Sequence, residues 1–152
     1  MKERLLISAC LLGVNCKYNG GNNYIPRMEQ LRERYELVPV CPETWGGLTA
    51  PRPPAERVGD RVLDREGRDV TAAFQEGARR ALAAALERGC RKALLKERSP
   101  SCGAGWIYDG TFTGTLVPGD GLAAALLRSH GVELWGESEI EALLSRPEEP
   151  SK

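Results

Sequence analysis

The chain reads as an α/β protein, built on a mostly parallel, Rossmann-like sheet of about four strands with helices on both faces and small β-hairpin excursions. Three observations predict this. Short apolar runs near residues 4, 37, 92 and 132 alternate with stretches of helical periodicity, the pattern of parallel strands joined by crossover helices. The stretch TAAFQEGARRALAAALER, residues 71–88, sets alanine and leucine at helical spacing with arginine and glutamate opposite, the clearest helix in the chain. Three of the apolar runs lead into loops that begin on or carry a cysteine, at the carboxyl ends of strands where such sheets bind ligands.

Taken in order, LLISAC ends the first strand on Cys10, and the glycine- and asparagine-rich LLGVNCKYNGGNN that follows is a loop. Residues 26–35, PRMEQLRERY, place a proline at a helix start and space Met28, Leu31 and Tyr35 on one face. A second strand, 37–40, ends on Cys41, and residues 41–56 form a stiff loop with four prolines and two adjacent glycines. Two β-prone pieces between 57 and 70 predict a hairpin turning at Glu66-Gly67. Gly89 ends the long helix. The run at 93–95 then enters the turn Ser99-Pro100-Ser101-Cys102-Gly103, where Pro100 biases its neighbour toward extended geometry and Gly103 permits angles closed to other residues. A second hairpin or loop excursion is centred on Asp109-Gly110, a helix spans 121–129, a strand 132–135 and a last helix 138–145, with Ser138 and Glu141 as a capping box. Residues 1–146 make one domain on this reading, and 147–152 a frayed polar tail.

Composition narrows the function. A chain of 152 residues can bury about 70% of its unfolded surface in one core, so no covalent staple is needed. Lysine plus arginine and aspartate plus glutamate both number 21, so no net field draws duplex nucleic acid or a membrane surface, and a small partner fits better. The N-terminal apolar run is short and looks like the first strand, which argues against a signal peptide. Five cysteines without tight disulfide-scaffold spacing point to a reducing cytoplasm and to thiols as reactive groups or ligands. A GxGxxG fingerprint is absent from the loop after the first strand, which disfavours a nicotinamide enzyme.

One cysteine alone is most simply a buried small hydrophobe. Cys10, Cys41 and Cys102 at one sheet edge, each followed by polar or turn residues, would be a poor way to build a core. Thiolates hold soft metals and iron–sulfur clusters, and the close C-x₂-C pairs usual in structural zinc sites are missing. Three ligands on a four-iron cluster would leave one iron open as a Lewis acid. Two other readings stay open: a metal-free persulfide or sulfur carrier built on a nucleophilic cysteine, and a non-catalytic iron–sulfur sensor.

SACLLG, PVCPE, GGLTAPRPPAE, DVT with a following phenylalanine and GA, LLKERSPSCG, IYDGTFTG and GDGLAAALL together resemble the thiouracil desulfidase family over nearly the whole chain. The resemblance implies a [4Fe–4S] cluster held by Cys10, Cys41 and Cys102. Its free iron would take the sulfur of a thiolated pyrimidine such as 2-thiouracil or 4-thiouracil, and water would replace that sulfur without net redox chemistry. It implies a catalytic pair of Glu43 and a serine, either Ser99 or Ser101. Cys16 and Cys90 are not chosen as ligands. Arg52 could pair with Glu56 or offer its fork to a substrate carbonyl, and Tyr18, Asn19 and Tyr108 are candidate pocket walls. Lys96 either neutralises cluster charge or sits beside the strand end, and His130 suits a helix C-terminal cap.

Overall fold

The computed structural model describes residues 2–145; the expected tail at 147–152 lies outside the described residues. Strands β1 (Glu3–Ser8), β2 (Tyr35–Val40), β5 (Lys92–Leu95) and β8 (Glu133–Gly136) form a fully parallel sheet in the order β2-β1-β5-β8. Leu5 lies opposite Leu37 on one side and Lys92 on the other, and Lys92 lies opposite Glu133. Strand β3 (Ala55–Val58) pairs antiparallel with β4 (Arg61–Asp64), and β6 (Trp106–Tyr108) with β7 (Leu116–Pro118).

Both faces of the sheet are covered, as the sequence predicts. Alternation along β1 sends Leu6 to one face and Leu5 and Ile7 to the other. On the first face Leu6, Val38, Val40, Ala93 and Leu95 meet Ala81 and Ala85 of α3 (Thr71–Arg88) and Ala124 and Leu127 of α4 (Leu122–Ser129). On the second, Leu5, Ile7 and Leu94 meet Met28 and Leu31 of α1 (Met28–Arg34) and Leu143 of α5 (Ile140–Ser145). Helix α3 ends at Gly89, which adopts the left-handed conformation with φ 68°.

Three expectations need correction and one needs an addition. Tyr35 begins β2 instead of ending α1, and it is buried. The hairpin expected at Glu66-Gly67 is present, with Leu63 bridging Asp69, the Asp64 N–H donating to the Arg68 carbonyl and the Val70 N–H to the Val62 carbonyl, and with the Asp64 carboxylate accepting the Glu66 and Arg68 N–H groups; the structure adds a further, more regular hairpin that turns at Gly59-Asp60. The last helix is entered through a 3₁₀ turn (Glu137–Glu139) in which the Gly136 N–H donates to Glu139, while the Ser138 hydroxyl donates to Glu97. Pro42 starts a short helix, α2 (Pro42–Trp45), as a proline at the first helical position can, so the segment expected as a loop over 41–56 opens with a helical turn.

Backbone contact fixes that short helix. A Cβ on Gly77 of α3 would stand 1.7 Å from the Pro42 carbonyl oxygen, and one on Gly46 would stand 1.9 Å from the Ala73 carbonyl oxygen. Only glycine at both positions lets α2 and α3 approach this closely.

Candidate functional site

Strand order reverses between β1 and β5, and a cavity of about 690 Å³ opens beyond the carboxyl ends of these strands, where open α/β sheets bind ligands. Cys10 reaches it from the 3₁₀ turn (Ala9–Leu12) after β1, Cys41 from the end of β2, and Cys102 from the turn after β5. That turn is clamped against the start of α4. Leu122 and Ala124 donate their N–H groups to Pro100 and Ser101, and a Cβ on Gly121 would meet Ser101 backbone at 2.6 Å. Ser99 Oγ accepts the N–H groups of Ser101 and Cys102, each at 3.1 Å.

Glu43, in the first turn of α2, is held at both oxygens. Arg52 Nε and Nη2 donate to Oε1 at 3.1 and 2.8 Å, and Ser101 Oγ donates to Oε2 at 2.9 Å. A hydroxyl has one proton, so the 2.9 Å contact between the two serine oxygens has Ser99 donating to Ser101. The result is an ordered chain from Ser99 through Ser101 to the carboxylate. Arg52 does not pair with Glu56; its Nη2 also donates to the Cys16 carbonyl at 2.9 Å, because the proline-rich loop brings it back over α2. Glu56 sits on β3 and accepts N–H groups from Gly110 and Phe112.

Tyr18 and Tyr108 line the cavity. Asn19 does not: its side-chain oxygen accepts the Gly21 N–H at 2.9 Å and closes a local turn at the exposed loop surface. Lys96 lines the cavity and pairs with Glu137 at 2.5 Å. Its backbone N–H donates to Ser8 Oγ at 2.9 Å. His130 caps α4, its Nδ1 lying 3.1 Å from the Leu126 carbonyl. Cys90 is buried away from the cavity, its thiol pushed up to about 11 by burial.

The cysteines differ electrostatically. The Cys41 thiol is held below the ordinary thiol value, chiefly by the neighbouring Cys16 thiol, whose own pKa is raised by the same neighbour; Cys41 Sγ lies 3.9 Å from the Cys16 carbonyl oxygen. Burial pushes Cys102 up to about 12 and also raises Cys10. Cys16, set aside on sequence, thus belongs to the cavity as the neighbour of Cys41. Asn23, hydrogen-bonded to Cys10, and Phe112 are further lining residues that sequence reading did not single out. The asparagine run offered a signal only for a turn.

The donor set can be tested against a metal. Among the described residues no three histidine, cysteine or acidic side chains converge tightly enough to close around one ion, as tetrahedral zinc requires. Four unbridged cysteines, Cys10, Cys16, Cys41 and Cys102, around one roomy cavity suit a polynuclear cluster, whose thiolate ligands stand on separate irons.

Fold and site together define a Rossmann-like protein with a cysteine-walled pocket at its switch point. The model of the 2-thiouracil desulfurase family matches residues 5–139, and the chain belongs to that family. It is 39% identical over 150 residues to the uncharacterized protein YbbK of Bacillus subtilis (strain 168), covering 92% of this chain and 99% of that one. The solved structure of TudS, a [4Fe–4S]-dependent thiouracil desulfidase, matches with a TM-score of 0.88 at 46% identity, covering 93% of this chain and 95% of that one. Among the described residues no helix is long and apolar enough to cross a membrane.

Proposed function

We propose that this protein is a [4Fe–4S]-dependent desulfidase that converts a small thiolated pyrimidine, 2-thiouracil or 4-thiouracil, to uracil and hydrogen sulfide. In this reading Cys10, Cys41 and Cys102 hold the cluster, and Glu43 with Ser101 is the catalytic pair. The observation that carries it is the opening of three cysteines, from the ends of three parallel strands, into the cavity that also holds the Glu43–Ser101 hydrogen bond.

Held by three cysteines only, the cluster would supply a Lewis-acidic iron with an open position and an affinity for soft sulfur. The chain's own residues handle water and protons. Glu43 takes a proton from the water that attacks the thiocarbonyl carbon. Arg52 balances its charge and, gripping one oxygen from two nitrogens, fixes its plane. Ser101 orients the second oxygen and is itself oriented by Ser99. Water contributes the new carbonyl oxygen, its two protons leave with the sulfur as hydrogen sulfide, and no electron is exchanged.

The test is the content and turnover of protein reconstituted without oxygen. About four irons and four acid-labile sulfides per chain are expected, with uracil and hydrogen sulfide formed from either base without an electron donor. Alanine at Cys10, Cys41 or Cys102 should abolish the cluster, whereas Cys16→Ala and Cys90→Ala should keep most of it. Stoichiometric zinc without sulfide would sink the cluster assignment. Iron without turnover would make the protein a sensor, and turnover without iron would make it a thiol carrier.

A further inference from the structure

We propose that Phe112 is the face on which the substrate's pyrimidine ring stacks, with the buried carboxylate of Glu56 as the positioning residue that fixes it. This rests on the desulfidase reading above, since it names how the same cavity receives its flat, aromatic substrate. The observations that carry it lie outside the cysteines and the Glu43–Ser101 pair. Among the described residues two non-glycine positions have positive φ, Arg98 at 68° and Phe112 at 59°, and both line the cavity. A bulky side chain in that region of backbone space is an outlier, held only where the surroundings over-determine it.

What holds Phe112 is visible. Glu56, 8% exposed on β3, accepts the N–H of Gly110 at 2.9 Å and that of Phe112 at 3.1 Å on the same oxygen. Gly110 has φ 98°, and a Cβ there would stand 2.4 Å from Val58 Cγ2, so the loop between β6 and β7 is pressed onto the first hairpin. The guanidinium of Arg65 lies 5.6 Å from the centre of the Phe112 ring, within cation–π range. At the other end, Ile107 of β6 bridges Arg98, which immediately precedes the turn carrying Ser101 and Cys102. A short, rigid backbone path therefore joins the aromatic face to the reactive side chains. Such a path can hold the plane of a base while its thiocarbonyl is presented to the cysteine side of the cavity.

Stacking of a base on an aromatic side chain contributes equally before and during reaction, so its loss raises KM and leaves kcat. Truncations of this kind weaken base binding about tenfold to a hundredfold. The experiment uses cluster-loaded protein, with iron content and the visible spectrum checked for every variant, and measures both thiouracil kinetics and equilibrium dialysis of uracil. Uracil lacks the sulfur and so reads the wall independently of turnover. Phe112→Ala should weaken uracil binding and raise KM by that factor at near wild-type kcat and full cluster. Phe112→Tyr should restore both values.

Glu56→Ala should reproduce the Phe112→Ala phenotype without adding to it in the double variant, and Glu56→Gln, which keeps an acceptor oxygen, should rescue it. Unchanged uracil affinity and KM in a folded, loaded Phe112→Ala protein would overturn the proposal. So would full recovery by Phe112→Leu, which offers apolar contact without a ring. If wild-type protein bound uracil through Phe112 but turned over neither thiouracil, the stacking face would stand and the desulfidase reading would fall.

Discussion

At the scale of single residues, the site separates two serines that the sequence leaves equivalent. Ser101 touches the Glu43 carboxylate, whereas Ser99 spends its oxygen on the N–H groups of the Cys102 turn. Glu43→Gln should keep full iron content and lose about 10²- to 10⁴-fold in desulfuration rate, the range of general base catalysis. Ser101→Ala should behave the same way in direction. Ser99→Ala should instead destabilise the turn by about 0.5–1.5 kcal/mol and lower cluster occupancy along with activity. Iron, visible spectrum and rate measured on the same preparations decide the matter, and near wild-type turnover with a full cluster would remove Glu43 from the mechanism. None of these contacts was legible in the sequence. Arg52 and Glu43 are nine positions apart across a proline-rich loop, and nothing local says that Pro42 turns the chain into a helix.

Elements were more legible than side-chain partners. Helix α3 runs over Thr71–Arg88, as its alanine and leucine spacing and its terminal glycine dictate, because both signals are local. The hairpin at Glu66-Gly67 is legible and present, whereas the pivot at Gly59-Asp60 is not singled out by the sequence, because two turn signals lie within one short segment and both are used. The glycine of FQEGA carries a message that periodicity cannot express. Gly77 lets the backbone of α2 touch α3, and the residues flanking Pro42 there are Cys41 and Glu43. Gly77→Ala improves intrinsic helix propensity yet should destabilise the protein by about 1–3 kcal/mol through overpacking. It should also reduce iron content, because α2 must shift. Calorimetry and iron analysis test this, and a raised Tm with full cluster would show that the contact does not position the site.

For the whole molecule, the parallel sheet and its two covered faces followed from strand and helix alternation. The strand order could not be read from the alternation alone, although it is what places the first and third sheet strands side by side at the switch point. The two core clusters are assembled mainly from aliphatic side chains on the strands and helices, with Cys102 buried within one and Cys10 packed against the edge of the other. Removing the cluster with a chelator should therefore lower the thermal midpoint, by loss of a ligand bound only to the native state, while the far-ultraviolet dichroism of sheet and helices persists. Collapse of that signal on chelation would mean that the metal organises the fold itself, as it does in zinc fingers.

The cavity is assembled from two sources that meet at the bridge between Arg98 and Ile107. The parallel sheet and its loops bring the thiols, while the Phe112 wall comes from the β6–β7 loop lying over the β3–β4 hairpin. A seven-residue stretch, 109–115, can thus be exchanged or lengthened at its exposed threonines without moving a strand that ends in a thiol. The same scaffold can then be retargeted to bases of different shape or size by altering this loop alone, its inventory of reactive groups inherited intact.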